Sequence, residues 1–354
     1  MKKEKSILSK TFRYAIFGLV LLLFINLISE ANWVKIIELV RSVGWYALLI
    51  PIPYLATSFF DTLGWKFVID SLGNKVSLLR LFSIRLSTEA MLLSLPAGAP
   101  IAEGAKAYLV SKIFKLPFSE AMAGVVVKKS LLGIAHSFYI LFCVIVGFQA
   151  VELLSIYLFS NSALGWVMIG MALVMFALFT GTLSISLNGD ISSKLHRFLS
   201  KISISAIRNW LLEAEKKFLE TDNHLSKFKE VHWAELFLSV IFFLIGWLFE
   251  AFETLVLLWL LGAVFEWQNL VSIEVTLSLV RSLAFVIPAG LGIQDSGYIA
   301  ALQSLNFEDA VSLAVSFLIL KRAKELFSIF LGYGLLSLMG LNIRDTVSEV
   351  SKSE

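Results

Sequence analysis

Uncharged apolar runs alternate with charged segments along most of this chain of 354 residues. Five of the runs approach or exceed the roughly 20 residues with which a helix crosses a bilayer. They are residues 14–29, 43–60, 131–151, 163–187 and 236–249. The pattern predicts an all-α polytopic membrane protein, because a spanning segment must satisfy its backbone hydrogen bonds internally.

Composition agrees with this prediction and narrows the function. Apolar residues make up 58% of the chain and charged residues 16%, which is too apolar for a soluble domain. The net charge of +3 is too small to indicate a nucleic-acid-binding protein. The single cysteine, Cys143, cannot form an internal disulfide. The four histidines lack metal-ligand spacing, and no nucleotide or hydrolase motif occurs. Nothing in the sequence indicates a soluble-type enzyme active site, and we expect neither a metal nor a cofactor.

Basic residues predict the orientation, because they concentrate on the cytoplasmic side. Lysine and arginine are frequent in residues 2–13 and again in the polar segment 190–232, which places both inside the cell. We expect a multi-pass protein of the cell (inner) membrane with cytoplasmic N- and C-termini. No small-x-small cleavage site follows the first apolar run, which favours an uncleaved anchor helix at 13–29 over a signal peptide.

A Pro-Ala-Gly turn occurs twice, at 96–98 and at 288–290, and the two turns lie 192 positions apart. The same shift places Asp61 on Glu253, Glu103 on Asp295, Lys129 on Lys321 and, with opposite sign, Glu89 on Arg281. Such coincidence indicates a duplicated unit, as in many transporter folds. Charged residues flanking each turn favour re-entrant helical hairpins, at 78–116 and 272–304, over clean spans. Three full spans and one hairpin per half predict an inverted-topology repeat.

The expected organisation has four parts. Residues 1–187 hold the first membrane repeat together with the first span of the second, and residues 233–340 hold the remainder. Residues 341–354 form a polar tail. The segment 188–232 is predicted to be a cytoplasmic amphipathic linker, which either lies on the inner leaflet or packs as a cap on the bundle.

Charges inside apolar helices cost about 2.5–3.5 kcal/mol each on insertion-based scales, so they need a partner or a function. Arg85 and Glu89 stand one helical turn apart and can pair; Glu325 can pair with either Lys321 or Arg322. A structural role and a functional role are equally open for these pairs.

Lys128 and Lys129 have no acid near them in the sequence. They stand about ten residues into the predicted helix that begins near residue 119, which makes snorkelling to the headgroup layer difficult. A cationic lining for an anionic headgroup is the favoured interpretation.

Two further hypotheses concern the charged residues beside the turns. Glu89 and Arg281, seven residues before each proline, would pair across the symmetry axis if the hairpin tips met near the midplane. Glu103 and Asp295, seven residues after each proline, are expected in the first turn or so of the second hairpin helix, where the helix dipole favours a carboxylate. The alternative role for these two acids is to bind a coupling ion such as a proton.

Two motifs resemble the paired hallmarks of a known family. They are Ser94-Leu95-Pro96-Ala97-Gly98, followed by Glu103 and Lys106, and the segment 287–295 that ends at Asp295. Nearly the whole chain resembles the transmembrane, flippase-like region of bacterial lysylphosphatidylglycerol synthases, which includes stand-alone relatives. That family usually has Glu where Asp295 stands, Arg where Lys106 stands, and an acid–Arg pair in place of Lys128-Lys129. The resemblance implies movement of a lipid between leaflets, and we expect no lysyl transfer, because no soluble catalytic domain precedes Glu354.

We therefore expect a flippase-like protein that moves a polar or anionic-headed phospholipid, or a lipid-linked substrate, between leaflets. The expected headgroup ligands are Arg85, Lys106, Lys129, Arg281, Lys321 and Arg322. The residues expected to balance or couple that charge are Asp61, Glu89, Glu103, Glu253 and Asp295. The expected turn residues are Pro96, Gly98, Pro288, Gly290 and Gly292. Two alternatives stay open: a non-transporting accessory subunit that docks a lipid-modifying enzyme of lipid or lipid-linked glycan synthesis, and a membrane-embedded lipid transferase.

Overall fold

The structure is a computed structural model. It describes residues 31–71, 73–95, 98–188, 233–264, 266–283, 293–305, 307, 309–343 and 346–348. The predicted anchor helix at 13–29, the polar linker and the second Pro-Ala-Gly turn lie outside the described residues.

Within the described ranges all regular structure is helical. The α-helices are α1 Trp33–Val43, α2 Pro51–Asp70, α3 Leu78–Ser94, α4 Gly98–Phe114, α5 Phe118–Val146, α6 Phe148–Phe159, α7 Leu164–Asn188, α8 Trp233–Leu260, α9 Trp267–Leu283, α10 Ile293–Ser304 and α11 Ala310–Leu338, with a short 3₁₀ helix at Gly44–Leu49 between α1 and α2.

Four helical stretches of the described chain are long and apolar enough to cross a membrane. They are Trp33–Asp70, Phe118–Val146, Leu164–Ser184 and Trp233–Leu260. The prediction of an all-α membrane protein is therefore confirmed. The orientation of the termini and the choice of membrane stay predictions.

Helix α1 was not predicted from the sequence, and it ends at the residue where the apolar run 43–60 begins. Asn32 begins α1, because its side-chain oxygen accepts hydrogen bonds from the backbone N–H groups of Val34 and Lys35. Gly44 ends α1 with a φ of 49°, a left-handed value that favours glycine. The helix that follows the break, α2, begins at Pro51 rather than near residue 43.

The chain forms two compact units, each assembled from three separated stretches. The α3–α4 unit consists of Tyr54–Tyr139, Met171–Phe249 and Ser328–Glu354. The α9–α10 unit consists of Met1–Pro53, Ile140–Gly170 and Glu250–Phe327. Each unit is named after the pair of helices that pack on each other within it.

The helix bounds support internal duplication. Helix α11 begins 192 positions after the start of α5 and ends 192 positions after its end, so the two 29-residue helices correspond residue for residue. This is the shift that relates the two Pro-Ala-Gly turns. The inverted orientation of the repeat and the re-entrant course of the hairpins stay predictions.

Aromatic stacking and small residues hold the α3–α4 unit together around its charged centre. Phe60 of α2 stacks on Phe242 and Phe249 of α8, with ring centroids 6.4 Å and 5.3 Å away. Farther along the same contact, Gly64 leaves room for the ring of Phe243. Helix α2, which also carries Asp61, is thus fixed against α8.

Candidate functional site

The centre of the α3–α4 unit is a buried carboxylate held by two cations. Lys128 of α5 donates a hydrogen bond to Asp61 Oδ2 on α2, at 2.8 Å. Arg85 of α3 donates to the same oxygen. Only 5% of the Lys128 side chain and 8% of the Asp61 side chain are exposed, so the two charges are buried within the protein and satisfy each other there.

Arg85 joins this centre to a second acid. Its Nε donates to Asp61 and its terminal Nη1 to Glu89, one turn farther along α3. A guanidinium suits this position, because its planar fork presents several donors in fixed directions. The local Arg85–Glu89 pair that the spacing predicted is present, and its guanidinium bridges two helices.

A second group of charges lies around Glu103 of α4. Its Oε1 accepts hydrogen bonds from Lys129 at 2.7 Å and from Lys106 at 3.1 Å. The Lys129 side chain is 56% exposed, in contrast to Lys128 beside it. Neighbouring residues of a helix point about 100° apart, so α5 presents one lysine to the interior and the other to the surroundings.

Glu103 lies one turn beyond the first turn of its helix. Helix α4 begins at Gly98, so Glu103 is its sixth residue, and the first turn of α4 contains no acid. The carboxylate is stabilised by two lysines instead of the helix dipole. Asp295 does lie in the first turn of α10, as expected.

These two groups form one cluster, which we call the α5 charge cluster. Lys106 lies close enough to Lys128 for their charges to interact, and Lys128 is within electrostatic reach of Glu103. The cluster consists of the acids Asp61, Glu89 and Glu103 and the bases Arg85, Lys106, Lys128 and Lys129. With four bases and three acids, its formal charge is positive. Its buried end is at Asp61 and its exposed end at Lys129.

Buried polar atoms without a hydrogen-bond partner among the described residues line the same face of α2. They include Ser58 Oγ, Asp61 Oδ1 and Trp65 Nε1. The three residues follow one another at helical spacing, so they share one side of the helix. The Lys128 ammonium lies 4.9 Å from the centre of the Trp65 ring, a cation–π contact that adds to its ion pair.

The α9–α10 unit has a charge cluster of its own on α11. Lys324 forms an ion pair with Glu253 of α8, with Nζ 2.9 Å from Oε1. Arg322 donates to Asp295 of α10 and, at 2.6 Å, to Glu325. Of the two partners that the spacing allowed for Glu325, the structure therefore shows an ion pair with Arg322.

Lys321 takes a different role from its counterpart Lys129. It is buried, donates a hydrogen bond to the Tyr298 hydroxyl, and lies 4.5 Å from the centre of the Tyr298 ring. Tyr298 stands 192 positions after Lys106, so an aromatic hydroxyl occupies the place of a base. Tyr298 escaped prediction from the sequence, although the repeat shift singles it out.

The long-range pairings of Lys128 and Lys324 also escaped prediction, as did a buried acid, Glu274. Thr254 of α8 donates a hydrogen bond to Glu274 of α9. The shift of 192 positions gives no signal for Glu274, because the corresponding residue is Phe82. Across the part of the chain that the structure describes, no three His, Cys, Asp or Glu side chains come together as metal ligands.

Several expected site residues fall outside the described part of the chain. Pro96, Pro288, Gly290 and Gly292 are among them, and nothing is described of the Arg281 side chain. The pairing of Glu89 with Arg281 therefore stays a prediction. Gly98 is described: a Cβ at this position would collide with the backbone carbonyl of Leu92, so the return from α3 into α4 requires glycine.

Comparison with known families agrees with this architecture. Residues 11–322 match the profile of a family described as "Lysylphosphatidylglycerol synthase TM region". The chain belongs to this family and is an integral membrane protein related to lipid handling. No curated protein matches the chain.

Proposed function

We propose that the protein moves a polar or anionic-headed lipid between the leaflets of the bilayer, as a transporter and not as an enzyme. The α5 charge cluster carries the proposal. It gathers seven ionisable side chains inside a unit built from apolar helices, and it has one base more than it has acids. A phosphate attached to acyl chains is the ligand that complements an excess of cations at membrane depth.

The gradient of exposure along the cluster supports a binding role for its outer end. Lys129 is more than half exposed, and Glu103 and Lys106 are partly exposed, whereas Asp61 and Lys128 are buried. An incoming phosphate would first meet Lys129. It would compete with Glu103 for the lysines, because a carboxylate and a phosphate accept the same charge-assisted hydrogen bonds.

The lengths of the paired helices support a re-entrant course. Helices α3 and α4 have 17 residues each, about 25 Å. Both are shorter than the roughly 30 Å of a hydrocarbon core. A pair of such helices joined by a Pro-Ala-Gly turn suits a hairpin that enters and leaves on one side. The inverted-topology repeat is the arrangement that this proposal adopts.

Reconstitution tests the proposal directly. The purified full chain would be placed in phosphatidylcholine vesicles that contain a trace of fluorescent, headgroup-labelled phosphatidylglycerol. A membrane-impermeant reductant then destroys label in the outer leaflet only. We expect the protein to expose inner-leaflet label to the reductant at a rate that protein-free vesicles do not show.

A matched pair of lysine variants assigns that activity to the cluster. Lys129→Ala should slow transfer about tenfold, which corresponds to losing roughly 1.4 kcal/mol of charge-assisted bonding. Lys112→Ala is the control, since Lys112 is also exposed and contacts Tyr108 on α4 itself. Equal rates for both variants would contradict a role for the cluster.

Each alternative function predicts another outcome. An accessory subunit would show no transfer alone and would co-purify with a lipid-modifying enzyme. A membrane-embedded transferase would convert the labelled lipid into a product of different mobility on thin-layer chromatography.

A further inference from the structure

The strongest signal outside the two charge clusters is the segment 33–49, which comprises α1 and the 3₁₀ helix after it. Helix α1 has three distinct faces. One packs on α11 within the α9–α10 unit, where Ile36 lies with Val315 and Val311 in an apolar cluster. Val43, the last residue of α1, joins the larger core of the same unit.

The second face of α1 is charged. Lys35, Glu38, Arg41 and Ser42 are all exposed, and at about 100° per residue they share one side of the helix. Three charges within seven residues exclude this face from the hydrocarbon core, where a charge would need an ion-pair partner. It faces water or lipid headgroups.

The third face is apolar and equally exposed. It includes Trp33 and Ile37, and the 3₁₀ helix continues it with Trp45, whose exposed fraction is 89%, Tyr46 and Leu48. Tryptophan and tyrosine are the residues that concentrate where membrane meets water, because each ring has an apolar body and a polar tip. Because this apolar face is exposed, the segment is not expected to lie in bulk water.

Other residues of the α9–α10 unit also indicate a membrane boundary near this segment. Tyr46 contacts Trp259 edge-on, with ring centroids 6.5 Å apart, close to the end of α8. Exposed Trp267 begins α9 a few residues later. Asn32 N–H donates to Ser312 Oγ in the first turn of α11. Helix ends and interfacial aromatics thus coincide, as they do at the boundary of a bilayer.

The stretch that contains α1 and α2 is too long to cross the membrane as one continuous helix. Residues Trp33–Asp70 number 38, which as a continuous helix would measure about 57 Å against a core of about 30 Å. The left-handed backbone of Gly44 interrupts the stretch at the end of α1.

We propose that residues 33–49 form an interfacial segment that lies along the membrane surface, with its aromatic face in the acyl boundary and its charged face among the headgroups. The partner is the lipid surface itself. The two bases and one acid on the charged face give it a net attraction for anionic lipid. Because the segment is part of the α9–α10 unit, its position at the surface gives that unit a fixed depth in the bilayer.

Depth measurement by spin labelling tests this proposal on the full chain in vesicles. Lys35→Cys and Ser42→Cys place labels on one face, two turns apart, which is about 10 Å along the helix axis. Phe237→Cys and Leu248→Cys place two labels on one face of α8, a candidate membrane span, about 16 Å apart along its axis. The native Cys143 is buried, and unsubstituted protein gives its background. Accessibility to oxygen and to a water-soluble nickel complex reports the depth of each label.

We expect the two α1 labels to lie at equal depth, at headgroup level, and the two α8 labels to differ. A label at Ile37→Cys, on the apolar face of the same helix, should lie deeper than the labels at Lys35→Cys and Ser42→Cys. It should also be more accessible to oxygen. A depth difference of about 10 Å within α1 would make it part of a crossing helix and overturn the proposal. Full nickel accessibility at Ile37→Cys would make the segment a water-exposed cap and overturn it equally. Glu38→Cys replaces either polar variant that fails to purify.

Discussion

Lys128 Nζ lies 2.8 Å from Asp61 Oδ2, although 67 positions separate the two residues in the sequence. The next residue, Lys129, contacts Glu103 on a different helix. Helix α5 therefore connects to α2 through one lysine and to α4 through the other. The adjacent pair of bases is a structural junction and a candidate binding group at once.

Lys128→Met should destabilise the protein more than Lys129→Met. Removing one partner of a buried ion pair typically costs about 3–5 kcal/mol, and the loss here should be smaller because Asp61 keeps Arg85. Lys129 is more than half exposed, and pairs of that kind contribute about 0–1 kcal/mol. The midpoint of thermal unfolding in detergent, followed by size-exclusion chromatography, ranks the two variants.

A double-mutant cycle shows whether the lysine acts through Asp61. Asp61→Asn combined with Lys128→Met should lose less stability than the two single changes added together, because neither charge is then left buried alone. Strict additivity would mean that Lys128 is held by something other than Asp61.

Gly332→Ala should disturb the contact of α11 with α3. A Cβ at Gly332 would collide with the backbone carbonyl of Leu86, and Ser87 Oγ donates to the Gly332 carbonyl at 2.9 Å. Overpacking of this kind costs about 1–3 kcal/mol. Gly334→Ala, two residues farther along α11, is the control, since a Cβ there would meet no described atom within 4 Å. It should be neutral or stabilising by up to about 1 kcal/mol through helix propensity, and unfolding midpoints of both variants check the contrast.

Charge exchange tests the α8–α11 connection. Glu253→Lys and Lys324→Glu should each destabilise the protein, since each places two like charges together in the interior of the α9–α10 unit. The exchanged double variant should regain a large part of the lost stability. If it unfolds at the temperature of the weaker single variant, the two side chains do not interact in the membrane-embedded protein.

Tyr298→Phe should weaken the protein modestly. The change removes the hydroxyl that accepts from Lys321 and keeps the ring beneath its ammonium, so we expect a loss of about 1–3 kcal/mol. Tyr298→Leu removes both contacts and should cost more. Unfolding midpoints in detergent compare the two; the same midpoint for both would leave the ring without a role.

The membrane fold was predictable because its determinant is local. An uncharged run such as 163–187 specifies a spanning helix without reference to the rest of the chain, and α7 at Leu164–Asn188 matches it closely. Helix α1 was not predicted because it has only 11 residues and three charges, so it is not an uncharged apolar run.

The site was predictable only where its partners are sequence neighbours. Arg85 with Glu89 and Arg322 with Glu325 follow from helical spacing. The pairing of Lys128 with Asp61 does not follow from helical spacing, because two helices separate the residues in the chain and only helix packing brings them together. Nor does a sequence show which of two adjacent lysines points inward, because that depends on the rotation of α5 about its axis.

Lys106 and Tyr298 stand 192 positions apart, at matched positions of the predicted repeat, yet only the first carries charge. If both clusters hold the same headgroup in turn, the two resting places differ in affinity. A passive carrier with unequal resting places still cannot accumulate lipid on one side, since it has no energy source of its own. The divergence would instead decide which leaflet loads the carrier faster, and so make it respond to the lipid content of one leaflet more than of the other.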